Sequence, residues 1–171
     1  MCAGWIVPML RFWALASGLY RPYGYTGGDV APSLVWFLTA CAVCVALWWA
    51  PPSYYRVRGF ERSGRLYEFV GVRWFRRLVP DGDFANRWRR RHEPDFRMIR
   101  GRRGAQAFLP RNIASEQSHL VLLLMGFATC AYAWHIGWHG WAWYLFVANV
   151  LANVYPILLQ RYTRARIARL A

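Results

Sequence analysis

A chain of 171 residues that is 57% hydrophobic and 18% aromatic is too apolar for an ordinary soluble domain, and its length suits one compact unit. The formal net charge of +14 comes from arginine, since the chain has no lysine. Such a charge would suit nucleic acid, but most of the chain would then have no aqueous role, so no nucleic-acid partner is expected.

The first apolar segment, about Trp5 to Leu19, contains Pro8 and Arg11 and either spans a membrane or lies partly in its interface. Arg11 interrupts it and no small-x-small cleavage site precedes a polar mature domain, which argues against a removable signal peptide. The second, Leu34 to Ala50, is continuous and ends in Trp48-Trp49, the aromatic pair expected at headgroup level. Its Cys41-x-x-Cys44 lies inside the apolar run; together with Cys2 and Cys130 these cysteines read as small packing residues, not as a redox or metal site. Sixteen arginines then fall between Pro51 and Ser115. Within this block Glu61 to Val70 predicts a short helix. In Val72-Arg-Trp-Phe-Arg-Arg-Leu-Val79, the apolar positions 72, 75, 78 and 79 share one helical face, the pattern of a helix lying in the membrane plane. Pro80-Asp81-Gly82 ends it with turn chemistry. Gly101 to Pro110 reads as loop, and Asn112 as a cap for the next helix. The third span, about Gln117 to Trp134, and the fourth, about Trp141 to Leu159, are joined by the short turn His135-Ile-Gly-Trp-His-Gly140. Each approaches the length that crosses a ~30 Å hydrocarbon core.

Charge orients these segments. Basic loops are retained on the cytoplasmic side and lie against anionic headgroups. If the 51–115 block is cytoplasmic, the third span leaves the cytoplasm and the fourth returns to it. The tail bearing Arg161, Arg164, Arg166 and Arg169 then also lands inside, so two basic clusters agree on one topology. The connection Arg21 to Pro32 faces out.

Chemistry concentrates at the cytoplasmic ends of the last two spans. Glu116-Gln-Ser-His119 places a carboxylate and an imidazole three apart on one helix face, where the carboxylate would fix the imidazole tautomer and raise its basicity. On the fourth span Asn149, Asn153 and Gln160 recur at intervals of four and seven. Buried amides need partners, so this stripe faces either a cavity or a neighbouring helix. Gln160 and Arg161 end the fourth span on the side where Glu116 begins the third, and Glu116, His119, Asn153 and Gln160 are expected to line one cavity. Glu61 and Asp81 flank the amphipathic helix and are further acid–base candidates. His135 and His139 are read as interfacial turn residues and not as metal ligands.

The pieces Phe60-Glu-Arg-Ser-Gly64, Gly71-Val-Arg73, Leu78-Val-Pro-Asp-Gly82, Glu116-x-x-His119 and Asn153-Val-Tyr-Pro-Ile-Leu-Leu-Gln-Arg-Tyr-Thr-Arg164, in that order, resemble the glycosyl-4,4′-diaponeurosporenoate acyltransferase family. Thr163 and Ala165 stand where that ending would carry asparagine and proline. The resemblance implies a small membrane enzyme of glycolipid metabolism.

The resulting expectation is an all-α, polytopic membrane protein with about four membrane helices and an interfacial helix. It forms a single integral domain over residues 1–171 in the plasma membrane, with 51–115 as a basic cytoplasmic segment. The resemblance implies acyl transfer to the hydroxyl of a lipid-linked sugar, with a glycolipid and an acyl donor as partners and no cofactor or metal. His119 would take the hydroxyl proton, Glu116 would orient it, and Asn153, Gln160, Arg161 and Tyr162 would bind substrate. No serine nucleophile motif is visible, so direct transfer is expected. Two other classes stay open. A glycoside hydrolase would set Glu116 against Glu61 or Asp81 across a glycosidic bond. A non-enzymatic scaffold would use its arginines to hold lipid headgroups.

Overall fold

The structure is a computed structural model that describes residues 48–79, 85–94 and 101–169, together with positions 7, 10–14, 38, 41–43, 45 and 46. Among the described residues all regular structure is helical and there is no strand. Two short 3₁₀ turns, Pro52–Tyr55 and Gly59–Glu61, precede helices α1 (Arg65–Phe69), α2 (Val72–Leu78), α3 (Ala85–Arg90), α4 (Gly101–His135) and α5 (His139–Asn149). A π-helical turn, Val150–Val154, then leads into α6 (Tyr155–Ala168). Two helical runs, Gly101–His135 and His139–Ala168, are long and apolar enough to cross a membrane. They correspond to two of the four expected spans. The other two, 5–19 and 34–50, are described only in part, and the Pro80–Gly82 turn lies outside the described residues.

The chain divides into two compact units, the first comprising Met1–Ala50 with His119–Val154 and the second Pro51–Ser118 with Tyr155–Ala171. In the first, the later part of α4 and α5 form a helical hairpin. The Gly137 N–H reaches the Trp134 carbonyl at 3.1 Å and the Trp138 N–H reaches Ala133 at 2.9 Å, a Schellman closure. It needs a left-handed residue, which Gly137 supplies at φ +80°. The hairpin buries Cys130, Ala133, Ala142 and Leu145 around Phe12, whose ring meets Trp138 edge-on at 5.8 Å and Tyr132 at 6.5 Å. The π turn has a local cause. Pro156 has no N–H to offer the carbonyl four residues back and its ring crowds that turn, so the chain widens just ahead of it.

In the second unit α1 and α2 lie against α6, closing a core of Tyr67, Val72 and Tyr162 with Leu158 and Leu159 beside it. Gly64 sits so close to Tyr162 that an added Cβ would stand 3.1 Å from the ring, and its φ of +71° also favours glycine. The Glu61–Val70 helix is present only in part, as the 3₁₀ turn ending at Glu61 followed by α1. The expected apolar face of α2 divides. Val72 and Val79 are buried and Phe75 packs on Tyr155 at 5.1 Å, while Leu78 turns outward with Trp74 and, from α1, Leu66 and Phe69.

Two expectations for the start of the third span are corrected. Gly101 to Pro110 is the first part of α4, not a loop, and Asn112 lies well inside that helix, not at its cap. Ala105, Asn112 and Glu116, spaced seven and four apart, form a buried stripe that holds the helix. The bond broken by Pro110 falls on the exposed side with Gln106, where water can satisfy the carbonyl.

This packing distinguishes two neighbouring apolar residues. Truncating fully buried Val72 to alanine should cost about 1–3 kcal/mol through the cavity left against Tyr67 and Tyr162. Phe69→Ala, at a side chain 91% exposed, should stay within about 0.5 kcal/mol. Thermal unfolding of both variants in detergent micelles checks the contrast.

Candidate functional site

The second unit is organised around a carboxylate with no solvent exposure, Glu116 on α4. A buried carboxylate is tolerable only when paired and hydrogen-bonded. Arg161 and Arg164, three apart on one face of α6, supply the pairing: Arg161 Nε donates to Oε1 at 3.0 Å, and Arg164 Nη2 donates to Oε2. Arg161 uses its other nitrogens as well. Nη1 donates to Glu61 Oε1 at 2.8 Å and Nη2 to the Tyr54 carbonyl at 3.1 Å. Arg164 Nη1 donates to Asn112 Oδ1 at 2.9 Å; Asn112 in turn donates to Gln160, whose amide reaches Ser115 Oγ at 3.0 Å. Tyrosine rings lie over the cations, Tyr54 at 4.6 Å from Arg161 and Tyr55 at 5.9 Å from Arg164.

Glu61 completes this network. Its Oε2 accepts the Arg58 backbone N–H at 2.7 Å, and its Oε1 accepts the Tyr67 hydroxyl at 2.5 Å as well as Arg161. Burial alone would raise its carboxyl, but the bonds from Arg58, Tyr67 and Arg161 outweigh burial and hold it below the ordinary glutamate value. Burial first, then the Glu61 carboxylate, push the Tyr67 phenol above its usual range. Glu61 and Glu116 are thus brought together, but on opposite nitrogens of one guanidinium. A general acid needs a retained proton, and this arrangement favours the ionised form of Glu61. Tyr162 donates to Glu68 Oε1 at 3.0 Å. Asp81 lies outside the described residues.

The first unit holds a different cluster. Asn149 Nδ2 donates to the backbone carbonyl of Leu123 at 2.9 Å, Asn153 Nδ2 donates to Asn149 Oδ1 at 2.8 Å, and Asn153 Oδ1 stands 3.1 Å from His119 Nδ1. All three polar side chains are buried, Asn149 fully. The polarity of this chain follows from its end, because a carbonyl can only accept. Asn149 must therefore present its NH₂ to Leu123 and its oxygen to Asn153, and Asn153 must present its oxygen to His119. His119 Nδ1 then carries the proton and the lone pair of the neutral ring resides on Nε2, the form a general base requires.

Each sequence-derived residue except Asp81 is thereby located. Glu116 and Gln160 belong to the second unit, His119 and Asn153 to the first. The partner of His119 Nδ1 is Asn153, while both Glu116 oxygens are engaged by arginines. Of the amide stripe, Asn149 and Asn153 are bonded to each other, to His119 and to the Leu123 carbonyl, while Gln160 is bonded to Asn112 and Ser115. Arg164, Tyr54, Tyr55 and Tyr67 were missed. Only Arg164 carried a signal, its three-residue spacing from Arg161. The His139 ring lies tilted against Trp134, 4.5 Å between ring centroids.

A family model described as "Glycosyl-4,4'-diaponeurosporenoate acyltransferase" matches residues 51–171 of the chain. No curated protein and no solved structure matches it.

Two measurements probe the ionic network. Glu116→Gln leaves two guanidiniums without their shared carboxylate and should destabilise the protein by roughly 3–5 kcal/mol, read as a lower Tm in detergent. Glu61 has a folded pKa below its ordinary value of 4.5, so its contribution is present above that value and lost as pH falls through the depressed folded value. Tm should therefore fall on acidification below about 4.5, and Glu61→Gln should lower Tm at neutral pH while flattening the acid limb.

Proposed function

The chain belongs to the glycosyl-4,4′-diaponeurosporenoate acyltransferase family, and from that membership we propose a membrane enzyme that transfers an acyl group to a hydroxyl of a lipid-linked sugar. The observation that carries the chemical part of this reading is the amide relay ending on His119 Nδ1. A histidine held as the Nδ1–H tautomer can take the proton of a sugar hydroxyl on Nε2 as that oxygen attacks the acyl carbonyl. The tetrahedral oxyanion then collapses, the new ester bond stays, and the bond from the acyl carbon to the donor breaks. The leaving group receives the proton from the imidazolium, so the histidine returns to its starting form. Asn153 is a positioning residue in this scheme, its oxygen holding the ring through the protonated intermediate.

The ionic network of the second unit has a supporting role in the same reading. Arg161, Glu116, Glu61 and Gln160 are engaged with protein partners, so we assign them to holding the framework of that unit. The sixteen arginines between Pro51 and Ser115 favour a cytoplasmic location for this segment. The outward Phe69, Trp74 and Leu78, with Arg73 and Arg77 among them, suit a surface bedded in anionic headgroups. The Arg161 bridge between Glu61 and Glu116 favours transfer over glycosidic hydrolysis, which needs a gap between carboxyl groups and a proton on one of them.

The test is an acyl-transfer assay on protein in lipid nanodiscs with a glycolipid acceptor. His119→Ala should lower kcat by about 10²–10⁴-fold. Asn153→Leu should lower it less, because the tautomer is no longer fixed. Full activity of the His119 variant would end the assignment, and release of free sugar without an acyl donor would replace transfer by hydrolysis.

A further inference from the structure

On the hairpin of the first unit the outward-facing chemistry is sorted by distance from the turn. Asn153 meets His119, Asn149 meets the Leu123 carbonyl, Phe146 faces Phe127 at 6.0 Å and His139 meets Trp134, so the two strands of the hairpin run antiparallel with matched levels. Across residues 119–133 and 145–154 the exposed side chains are Phe127, Ala131, Phe146, Val147 and Leu151, all hydrocarbon. The polar side chains there, His119, Thr129, Asn149 and Asn153, are buried. Nearer the turn the pattern changes: Trp134, His135, His139, Trp143 and Tyr144 are exposed. Their rings interlock, with Trp134 edge-on to Trp143 at 6.5 Å and Trp141 edge-on to Tyr144 at 5.7 Å. Tyr144 is five residues into α5, so the band is about 8 Å deep. That is close to the thickness of one headgroup layer, about 5–8 Å.

We propose that Trp134, Trp143 and Tyr144 form an anchor for the headgroup–hydrocarbon boundary of a phospholipid bilayer, and that this anchor sets the depth of the hairpin. An indole or a phenol offers an apolar ring to the acyl chains and an N–H or O–H to headgroups and water, so its free energy is lowest at that boundary. A phenylalanine, valine or leucine gains nothing there and belongs below it, where Phe127, Phe146, Val147 and Leu151 lie. Charge plays no part, since residues 119–154 contain no Asp, Glu, Lys or Arg. The partner is therefore the bilayer boundary as such and not an anionic headgroup, in contrast to the arginine-rich segment 51–115. Measured along α4, His119 lies fifteen residues from Trp134, roughly 22 Å. With Trp134 at one boundary of a ~30 Å core, His119 sits about 8 Å inside the other. The anchor stands apart from the acyl-transfer reading; under that reading, the imidazole takes its proton beneath the headgroups.

Depth-dependent fluorescence quenching tests the anchor. The full-length protein is placed in vesicles of phosphatidylcholine, with or without phosphatidylglycerol, that carry a nitroxide either on the headgroup or at the middle of the acyl chain. The emission lost in Trp134→Phe and in Trp143→Phe reports each indole while an aromatic ring keeps its place. That emission should be quenched more by the headgroup nitroxide than by the mid-chain one, and equally in both lipid mixtures. The indoles introduced by Phe127→Trp, about 10 Å below Trp134, and by Leu151→Trp should show the reverse preference. Replacing Trp134, Trp143 and Tyr144 together by leucine keeps apolar area and removes the polar edges. In that background the Phe127→Trp indole should shift toward stronger mid-chain quenching as the turn sinks. Stronger mid-chain quenching of Trp134 and Trp143 would put the band in the bilayer interior and overturn the proposal. Quenching by aqueous iodide and by neither nitroxide would place the turn outside the membrane, and quenching by none of the three would mean that protein covers it. An unchanged Phe127→Trp signal in the leucine background would show that these rings do not set the depth. None of these readouts measures activity, so their failure leaves acyl transfer to its own assay.

Discussion

A carboxylate removed from water must be neutralised where it lies, and in the second unit that demand fixes almost everything else. Glu116 projects from α4 and its two oxygens are met by two arginines from α6, so the register between these helices is set by charge as well as by shape. A shift of one turn along either helix would leave an uncompensated buried ion, a far larger penalty than a misplaced methyl group. The pairing also recruits its neighbours. Arg161 has further nitrogens to satisfy, which draws in Glu61 and the Tyr54 carbonyl; Arg164 draws in Asn112, and Asn112 draws in Gln160 and Ser115. Two carboxylates against two guanidiniums leave the core of this cluster neutral, so an otherwise strongly basic chain can bury it.

The first unit solves a related problem without ions. Among the described residues its buried polar side chains, apart from Thr129 on the Met125 carbonyl, are two amides and one imidazole, bonded to one another in a line that ends on a backbone carbonyl. Such a line has a direction, and direction turns packing into chemistry: it decides which nitrogen of His119 carries the proton. The π turn at Val150–Val154 bears directly on this line, since Asn153 lies inside it and Asn149 immediately before it. A helix widened by Pro156 therefore carries the residue that touches the histidine.

Much of this was legible in the sequence, and the parts that were not share a cause. The later helical hairpin, the amide stripe and the prominence of Glu116 and His119 follow from hydrophobic length, from a period of four and seven, and from the rarity of acids in the chain. What failed was pairing. Glu116 and His119 are three apart and seem made for each other on a helical wheel, yet a carboxylate surrounded by arginines goes to the stronger partner, and those arginines lie 45 and 48 residues away. Arg164 reads from the sequence as topology-setting charge and Arg161 as a substrate ligand, because nothing in a tail of spaced arginines distinguishes those turned inward. Asn112 looked like a cap because a polar residue after glycine, arginine and proline usually is one; inside a helix it is justified only by partners on α6. Tyr55 and Tyr67 carry no local pattern at all, since a tyrosine's role is decided by what its hydroxyl meets.

The choice of amides for one unit and ions for the other is consistent with what each must hold. An aspartate at position 153 would grip His119 Nδ1–H more strongly than an amide does, but it would be a second buried carboxylate and would need a cation of its own, as Glu116 needs two. It would also favour the imidazolium. A neutral amide fixes the tautomer without adding a charge. Its donor side then has to be satisfied, which Asn149 does, and Asn149 must itself be satisfied, which the Leu123 carbonyl does. The two amides Asn149 and Asn153 thus carry one hydrogen-bond direction from a backbone group to an imidazole.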